Sequence, residues 1–199
     1  MSDWDDRYRG SAHFYGTEPT SSLLSNAHLF PANARVLCVA DGEGRNSVWL
    51  AENGYQVTVW DASGVAVEKA RKLAGKRGVD VSFSVEDAAD YDWSAVQYEV
   101  VVGIFIQFAA PELRDRMFEG MKIATKPGGL IFLHGYAQKQ LEYGTGGPPC
   151  ADFLYTEDLL RNRFSDMLVH KLEAYEAILS EGVGHSGRSA VMDLIAKRQ

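Results

Sequence analysis

The sequence predicts an α/β protein built on a doubly wound, mostly parallel sheet. One indication is the regular alternation of strand-like and helix-like segments between residues 36 and 133. A second is that several strand-like segments are apolar throughout, as strands buried on both faces of a parallel sheet are. A third is that the alternation of strands and helices ends after about residue 136, and two β-like stretches later flank a glycine-rich turn. The alternation indicates βαβ units, and the late stretches indicate an antiparallel hairpin that closes the sheet edge.

The elements follow in order along the chain. Strands are predicted at residues 36–40, 55–60, 81–85, 99–104 and 130–133, with a turn at residues 126–129. Helices are predicted at residues 47–53, from a Ser63 cap to about residue 74, and from Pro111, which suits a first helical turn. A glycine- and proline-rich loop leads to a short helix at residues 156–161. Stretches 167–179 and 189–196 then flank the turn at residues 180–188. Nothing resembles an interdomain linker, so we expect one domain over residues 1–199.

Composition limits the partners of this chain. The net charge is −7 and the pI is near 5.2, which argues against a nucleic-acid surface because phosphate binding needs a basic stripe. The only cysteines are Cys38 and Cys150, so no disulfide framework is indicated and a cytoplasmic location is expected. No apolar stretch approaches the length of a membrane span, and the polar start MSDWDDRYRG is no signal peptide. We expect no nucleic acid, no membrane and no metal among its partners.

Two glycines, Gly42 and Gly44, follow the first strand at the place where such turns bring backbone close to a ligand. A P-loop is excluded, because the only Gly-Lys pair has Ala70 where the motif needs glycine. A dinucleotide fingerprint lacks its third glycine, and Glu43 would place a carboxylate beside a pyrophosphate. S-adenosylmethionine (SAM) carries a sulfonium, an ammonium and a carboxylate. Asp41 and Glu43 beside the glycines fit this ligand, which carries positive groups, better than they fit a dinucleotide.

Two acids at strand ends extend this prediction. Asp61 ends the second strand, 61 − 42 = 19 residues after Gly42, where a carboxylate can accept from both ribose hydroxyls. NAD and SAM binders share this feature, and the alternative is a helix-capping role. Asp87 lies in VEDAADYDW after the third strand, where an acid can accept from an adenine amino group. A solvated acidic loop is an equally good interpretation of that stretch.

The series VLCVADGEGRNSVWLAENGYQVTVWDAS, VEDAADYDW, VVGIFIQF and KPGGLIFLHGY resembles the class I SAM-dependent methyltransferases. It is most similar to the small bacterial group related to the tellurite-resistance and thiopurine methyltransferases. The resemblance covers nearly the whole chain, including WDDRYRG, FYGTEPTSSL, YGTGGP and HSGRSAV. It implies a Rossmann-like methyltransferase fold, with a seven-stranded sheet whose last strand is antiparallel.

The resemblance also implies roles for particular residues. Gly42 and Gly44 would wrap the methionine and ribose portion of SAM, Asp61 would hold the ribose hydroxyls, and Asp87 would meet the adenine amino group. The Ala88 backbone would lie beside the adenine. The residues after the fourth strand, Phe105, Ile106 and Gln107, would face the methyl group and the acceptor. An N-terminal segment of residues 1–30 would cover the cofactor with Trp4, Arg7, Tyr8 and Tyr15.

Two departures from the family pattern keep other functions open. Many members carry an acid where Cys38 stands and a glycine where Ala40 stands. The anchoring role of that acid would then pass to Asp41 or Glu43. A non-catalytic SAM-binding module is therefore one alternative. A nicotinamide-dependent oxidoreductase is another, although Tyr136 is not followed by lysine at the spacing that such enzymes often have.

Methyl transfer is an in-line displacement, which requires alignment and exclusion of water and needs a base only if the acceptor arrives protonated. His134, Tyr136 and His185 stand at the right edge, but they are predicted to be a core histidine, a packing residue and an exposed turn residue. Gln107, Tyr8 and His185 are the candidate catalytic residues, and Tyr8 and Tyr15 offer aromatic faces to a sulfonium.

With no dedicated base predicted, we expect a small-molecule acceptor with a soft or ionised nucleophile, such as a thiol, selenol or reduced chalcogen. The walls of the acceptor site would come from residues 105–107 and from the loop at residues 143–149, and this loop belongs to a substrate-side region at residues 137–165. A monomer or a homodimer is expected.

Overall fold

A computed structural model describes residues 3–10 and 12–199. Strands and helices alternate through most of it. The strands belong to one seven-stranded sheet with the order β3-β2-β1-β4-β5-β7-β6. They are β1 (Arg35–Val39), β2 (Gln56–Asp61), β3 (Ser82–Val85), β4 (Tyr98–Ile104), β5 (Thr125–Tyr136), β6 (Met167–Glu181) and β7 (His185–Arg198). The α-helices are α1 (Asp3–Tyr8), α2 (Ser21–Asn26), α3 (Arg45–Glu52), α4 (Gly64–Arg77), α5 (Pro111–Ala124) and α6 (Glu157–Arg163). The predicted fold class is confirmed.

The chain forms two compact units, and the first comprises Met1–Tyr91 with Glu181–Gly184. In it, β1 pairs with β2 and β2 with β3, both in parallel. Strand β1 is buried from its second residue onward, which explains its unbroken apolar sequence. As predicted, Ser63 caps α4, and its hydroxyl accepts from the Ala66 amide. The carboxyl ends of β1 and β2 therefore meet at one edge, each followed by a helix.

The second unit comprises Asp92–Ser180 with His185–Gln199. Strands β4 and β5 are parallel, and β7 runs antiparallel to β5 with His134 opposite Asp193. Strand β7 lies between β5 and β6, so the long hairpin adds two strands to the sheet. Pro111 begins α5, as its sequence predicts. The expected single domain over residues 1–199 stays a prediction.

Three local predictions were wrong. Residues 126–129, predicted as a turn, lie within β5, and the register with β4 shifts between Tyr98 and Val100 there. The hairpin turn is shorter than predicted, because β6 extends to Glu181 and β7 begins at His185. His185, predicted to be exposed, is 6% exposed and packs its ring on Phe105 at 4.0 Å between centroids. That ring contact is the physical reason for its burial.

Among the described residues, no helix is both long and apolar enough to cross a membrane.

Candidate functional site

The turn after β1 has an unusual backbone. Ala40, Gly42 and Gly44 all have positive φ values, of 48°, 64° and 88°. A Cβ on Gly44 would lie 2.7 Å from Ala70 Cβ and 3.0 Å from its Cα, so only glycine lets α3 begin this close to α4. A Cβ on Gly42 would lie 3.0 Å from the Tyr8 hydroxyl. The glycines are therefore required by conformation and by close approach.

Asp61 shapes the same turn from the end of β2. It is 7% exposed, its Oδ2 accepts from the Gly42 amide at 2.9 Å, and its Oδ1 accepts from the Ser63 amide at 2.8 Å. Burial raises the pKa of Asp61, and the two amide bonds oppose that rise. The predicted ribose ligand and the predicted glycine turn thus belong to one hydrogen-bonded cluster. The ribose role itself stays a prediction.

One carboxylate oxygen of Asp41 has no partner among the residues that the structure describes. Its Oδ2 is inaccessible to solvent and makes no hydrogen bond within the part of the chain that the structure describes. Burial raises the pKa of Asp41 to about 7, although hydrogen bonds from Ser47 oppose the rise. A buried carboxylate oxygen of this kind suits a cation from outside the chain.

The carboxylate of Glu43 contacts the N-terminal segment and Lys69. Its Oε2 accepts from the Phe14 amide at 2.6 Å, and its Oε1 pairs with Lys69 Nζ at 2.6 Å, both ion-pair side chains being largely buried. Lys69 also donates to the Ala12 carbonyl. Glu43 therefore anchors the N-terminal segment and has its charge neutralised. Of the two acids beside the glycines, Asp41 is the one with an oxygen left for a ligand.

The aromatic residues of the N-terminal segment cluster at the glycine turn. Trp4 stacks on Tyr8 with centroids 5.9 Å apart, and Tyr8 meets Tyr15 edge-on at 6.3 Å. Arg7 lies over the Trp4 ring and donates to the Tyr15 hydroxyl. Tyr8 is 5% exposed, and burial raises its pKa, so it is a neutral phenol at physiological pH. The hairpin tip holds the segment as well, because the Val183 amide donates to the Phe14 carbonyl.

Asp87 and Ala88 follow β3 in a tight turn. Asp87 is exposed and its Oδ1 accepts from the Ala89 amide at 2.8 Å, whereas Ala88 is 8% exposed. Tyr91, at the end of this stretch, stacks on Trp60 of β2 with centroids 5.1 Å apart. The structure therefore fixes the backbone of the loop and leaves the Asp87 carboxylate at the surface.

In the second unit, Phe105 follows β4, and its ring contacts three other rings. Its centroid lies 4.7 Å from that of His134, 4.8 Å from that of Tyr136 and 4.0 Å from that of His185. Its φ of 53° is rare for a residue with a side chain, and its amide donates to the His134 carbonyl at 2.7 Å. Strain of this kind concentrates at ligand sites. Ile106, next in sequence, is 2% exposed.

Gln107 is fully engaged by backbone groups. Its Oε1 accepts from the Tyr136 amide at 2.6 Å, and its Nε2 donates to the carbonyls of Tyr136 and Phe153. The side chain is 3% exposed. These contacts hold the end of β5 and the following loop in place, and a catalytic role for Gln107 stays a prediction.

Sequence reasoning missed a hydrogen-bonded pair, His134 and Asp193, at the end of β5. His134 Nδ1 lies 2.7 Å from Asp193 Oδ1, and both side chains are 1% exposed. Lys171 Nζ lies 3.2 Å from Asp193 Oδ2, and the Tyr175 hydroxyl donates to the same carboxylate at 3.3 Å. The sequence predicted His134 as a core histidine and did not single out Asp193. The available signal was a single charged residue within the continuous apolar run of the last strand.

Comparisons with known proteins agree with this fold. Residues 36–129 match a family model described as a methyltransferase domain. Hemagglutinin 1 of Eikenella corrodens is 28% identical over 169 residues, which is 80% of this chain and 52% of that protein. The chain thus spans about half the length of this relative.

Solved structures resemble the whole chain. A structure from work on the conversion of a disulfide bond into a thioacetal group during echinomycin biosynthesis has a TM-score of 0.81 at 18% identity, covering 98% of this chain and 90% of the other. TehB from Haemophilus influenzae has a TM-score of 0.74 at 19% identity, covering 98% and 66%. The chain therefore carries a methyltransferase-domain sequence match from β1 to β5 on a fold that these structures share.

Proposed function

We propose that this protein is a SAM-dependent methyltransferase that acts on a small molecule with a soft nucleophile, a thiol, selenol or reduced chalcogen. The main support for this proposal is the acidic glycine turn. Asp61 accepts a hydrogen bond from the Gly42 amide, and Asp41 has a buried carboxylate oxygen, unpaired among the described residues, that would pair with a cation. A dinucleotide would bring a pyrophosphate against these two carboxylates, whereas SAM brings an ammonium and a sulfonium. The methyltransferase-domain match over the same residues supports this choice.

The residues present fit SAM, and each has a distinct task. Asp41 would pair with its ammonium, Asp61 would accept from its ribose hydroxyls, and Ala88 with Asp87 would meet its adenine. Trp4, Tyr8 and Tyr15 would cover it and exclude water, because their rings already pack at the glycine turn. When bound, SAM supplies a methyl group that its sulfonium activates toward displacement.

The proposed acceptor class rests on the surroundings of Phe105. Tyr136, Leu154, Leu179 and Val191 form a buried apolar cluster, and Phe105, Tyr175 and Ala177 pack against it. A weakly hydrated sulfur or selenium group loses less on entering such an apolar site than an alcohol or amine does. The echinomycin structure concerns sulfur chemistry, and this supports the same class by analogy of fold. The net charge of −7 supports a small molecule over a nucleic acid.

Calorimetric titration with SAM and with NADH tests the cofactor. We expect micromolar-scale binding of SAM only. Asp61→Ala should weaken it by about 1–3 kcal/mol because a charged acceptor is lost. Asp90→Ala, which removes an exposed carboxylate from the loop after β3, serves as the matched control. Binding of NADH in place of SAM would support the oxidoreductase alternative.

Methyl transfer from labelled SAM to a panel of thiols, selenols, phenols, amines and bulk tRNA tests the reaction, with product mass as the readout. Transfer to thiols or selenols ahead of the oxygen and nitrogen compounds is the expected result. SAM binding without transfer to any acceptor would favour the non-catalytic module. Transfer to tRNA would overturn the small-molecule assignment.

A further inference from the structure

We propose that His134 is the general base of the reaction, held in its active tautomer by Asp193. This rests on the proposed methyl transfer to a thiol or selenol and adds the residue that removes the acceptor's proton. The carboxyl ends of parallel strands are where an open α/β sheet binds its ligand. His134 lies near that end of β5, opposite Ile104, the last residue of β4.

The hydrogen bond to Asp193 fixes the imidazole. A carboxylate can only accept, so the His134 nitrogen that faces it, Nδ1, must carry a hydrogen. In the neutral ring, Nε2 then holds the lone pair. Asp193 stands directly opposite His134 in the β5–β7 ladder, so two paired strands set the geometry rather than a loop.

The other nitrogen is left available. His134 Nε2 is buried and makes no hydrogen bond to any of residues 3–10 and 12–199. A buried nitrogen with a lone pair and no donor costs free energy unless a ligand uses it.

The groups around His134 differ between its two neighbouring strands. Asp193 compensates the charge of the imidazolium that forms, and Lys171 and Tyr175 of β6 fix the Asp193 carboxylate. On the β4 side the neighbour is Phe105, which carries no charge. Tyr136 and His185 are the titratable groups that share the Phe105 ring cluster. The Phe105 ring meets the His134 ring edge-on, with centroids 4.7 Å apart.

The need for a base follows from the apolar setting. Burial disfavours a free thiolate, so a thiol that is protonated in neutral solution enters this site with its proton. His134 Nε2 takes the S–H proton while the thiol's electron pair forms the new bond to carbon. The electrons of the broken carbon–sulfur bond remain on the donor's sulfur, which becomes uncharged. The imidazolium later releases its proton to solvent, so the reaction yields methyl thioether, demethylated donor and one proton.

Two thiols distinguish a base from a packing residue. 4-Nitrobenzenethiol is ionised at neutral pH, whereas phenylmethanethiol is protonated. For His134→Gln, which keeps side-chain size and polarity, we expect kcat/KM for phenylmethanethiol to fall by about 10²–10⁴-fold and that for 4-nitrobenzenethiol by less than about threefold. Asp193→Asn should act in the same direction. His170→Gln, at an exposed histidine of β6, is the matched control and should change neither.

The hydrogen on the ring nitrogens of His134 provides an independent readout. Ring ¹⁵N NMR of the protein without SAM should show the Nδ1–H tautomer for the histidine whose signal His134→Gln abolishes. Asp193→Asn should shift that signal.

Each outcome decides the proposal. An Nε2–H tautomer, or equal losses for both thiols in a folded His134→Gln variant, would mean that His134 serves packing alone. If the wild type binds SAM but methylates neither thiol, the proposed acceptor class fails and the base assignment falls with it. If the wild type methylates both thiols and His134→Gln is indifferent to both, only the base assignment fails.

Discussion

Replacing Asp41 by Asn is expected to stabilise the free protein while weakening its binding of SAM. Burial raises the pKa of Asp41 from 3.8 to about 7, and hydrogen bonds from Ser47 only partly oppose this. A carboxyl group whose pKa is higher in the folded state binds its proton more tightly there. It therefore destabilises the fold as the pH rises above the unfolded pKa, and the loss is complete above the folded one.

The size of the effect follows from the shift. The pKa changes by about 3 units, from 3.8 to about 7, and each unit corresponds to about 1.4 kcal/mol. The raised pKa of Asp41 thus lowers the free energy of unfolding by at most about 4 kcal/mol at pH 8 and by about 2 kcal/mol at pH 5. Asn has the shape of the protonated acid and does not ionise. The variant should gain those amounts in free energy of unfolding, and the gain should grow between pH 5 and pH 8.

Urea denaturation of the free proteins at pH 5 and pH 8 measures this gain, and calorimetry measures SAM binding. Loss of the charged partner for the SAM ammonium should cost about 1.5–3 kcal/mol of binding. Asp90→Asn should change stability by less than about 0.5 kcal/mol at both pH values, as an exposed substitution does. A stability gain that is the same at pH 5 and pH 8 would refute the burial argument. Unchanged SAM affinity would refute the assignment of Asp41 to the ammonium.

Further predictions concern the glycine turn and the N-terminal segment. Gly44→Ala should lower the free energy of unfolding by about 2–5 kcal/mol, because the new Cβ meets Ala70 backbone at a positive φ. Gly75→Ala in α4, where a Cβ meets nothing within 4 Å, should instead raise it by up to about 1 kcal/mol; equal losses would contradict the close-approach argument. Amide hydrogen exchange over residues 12–20 should slow when SAM is added, while that of α6 stays unchanged, and exchange that ignores SAM would exclude a covering role.

Much of the fold could be predicted because its elements carry local signals. Apolar runs, the Ser63 cap and Pro111 act within a few residues, so the pattern alone located their elements. The hairpin turn was predicted too long because its flanking residues are polar and glycine-rich. Their strand pairing comes from contacts that no local pattern shows, such as the packing of His185 on Phe105.

The position of Asp61 beside the glycine turn was predictable for a topological reason. Parallel neighbours bring their carboxyl ends together, so an acid 19 residues after Gly42 had to fall beside the glycine turn, and Asp61 does. The direction of a side chain within a turn carries no such constraint. Asp41 and Glu43 looked alike in the sequence, yet Glu43 pairs with Lys69, whereas one oxygen of Asp41 has no partner among the described residues. Their difference depends on where the N-terminal segment runs.

The His134–Asp193 pair could not be predicted because it depends on strand order. The two residues are 59 positions apart and meet only because β7 enters the sheet between β5 and β6. Had β6 paired with β5 instead, Asp193 would have lain away from His134, and the histidine would have been the core residue that its apolar strand predicts. The insertion of β7 therefore does more than extend the sheet. It places Asp193 against Nδ1 of a buried histidine whose Nε2 makes no hydrogen bond among the described residues, the feature on which the proposed base depends.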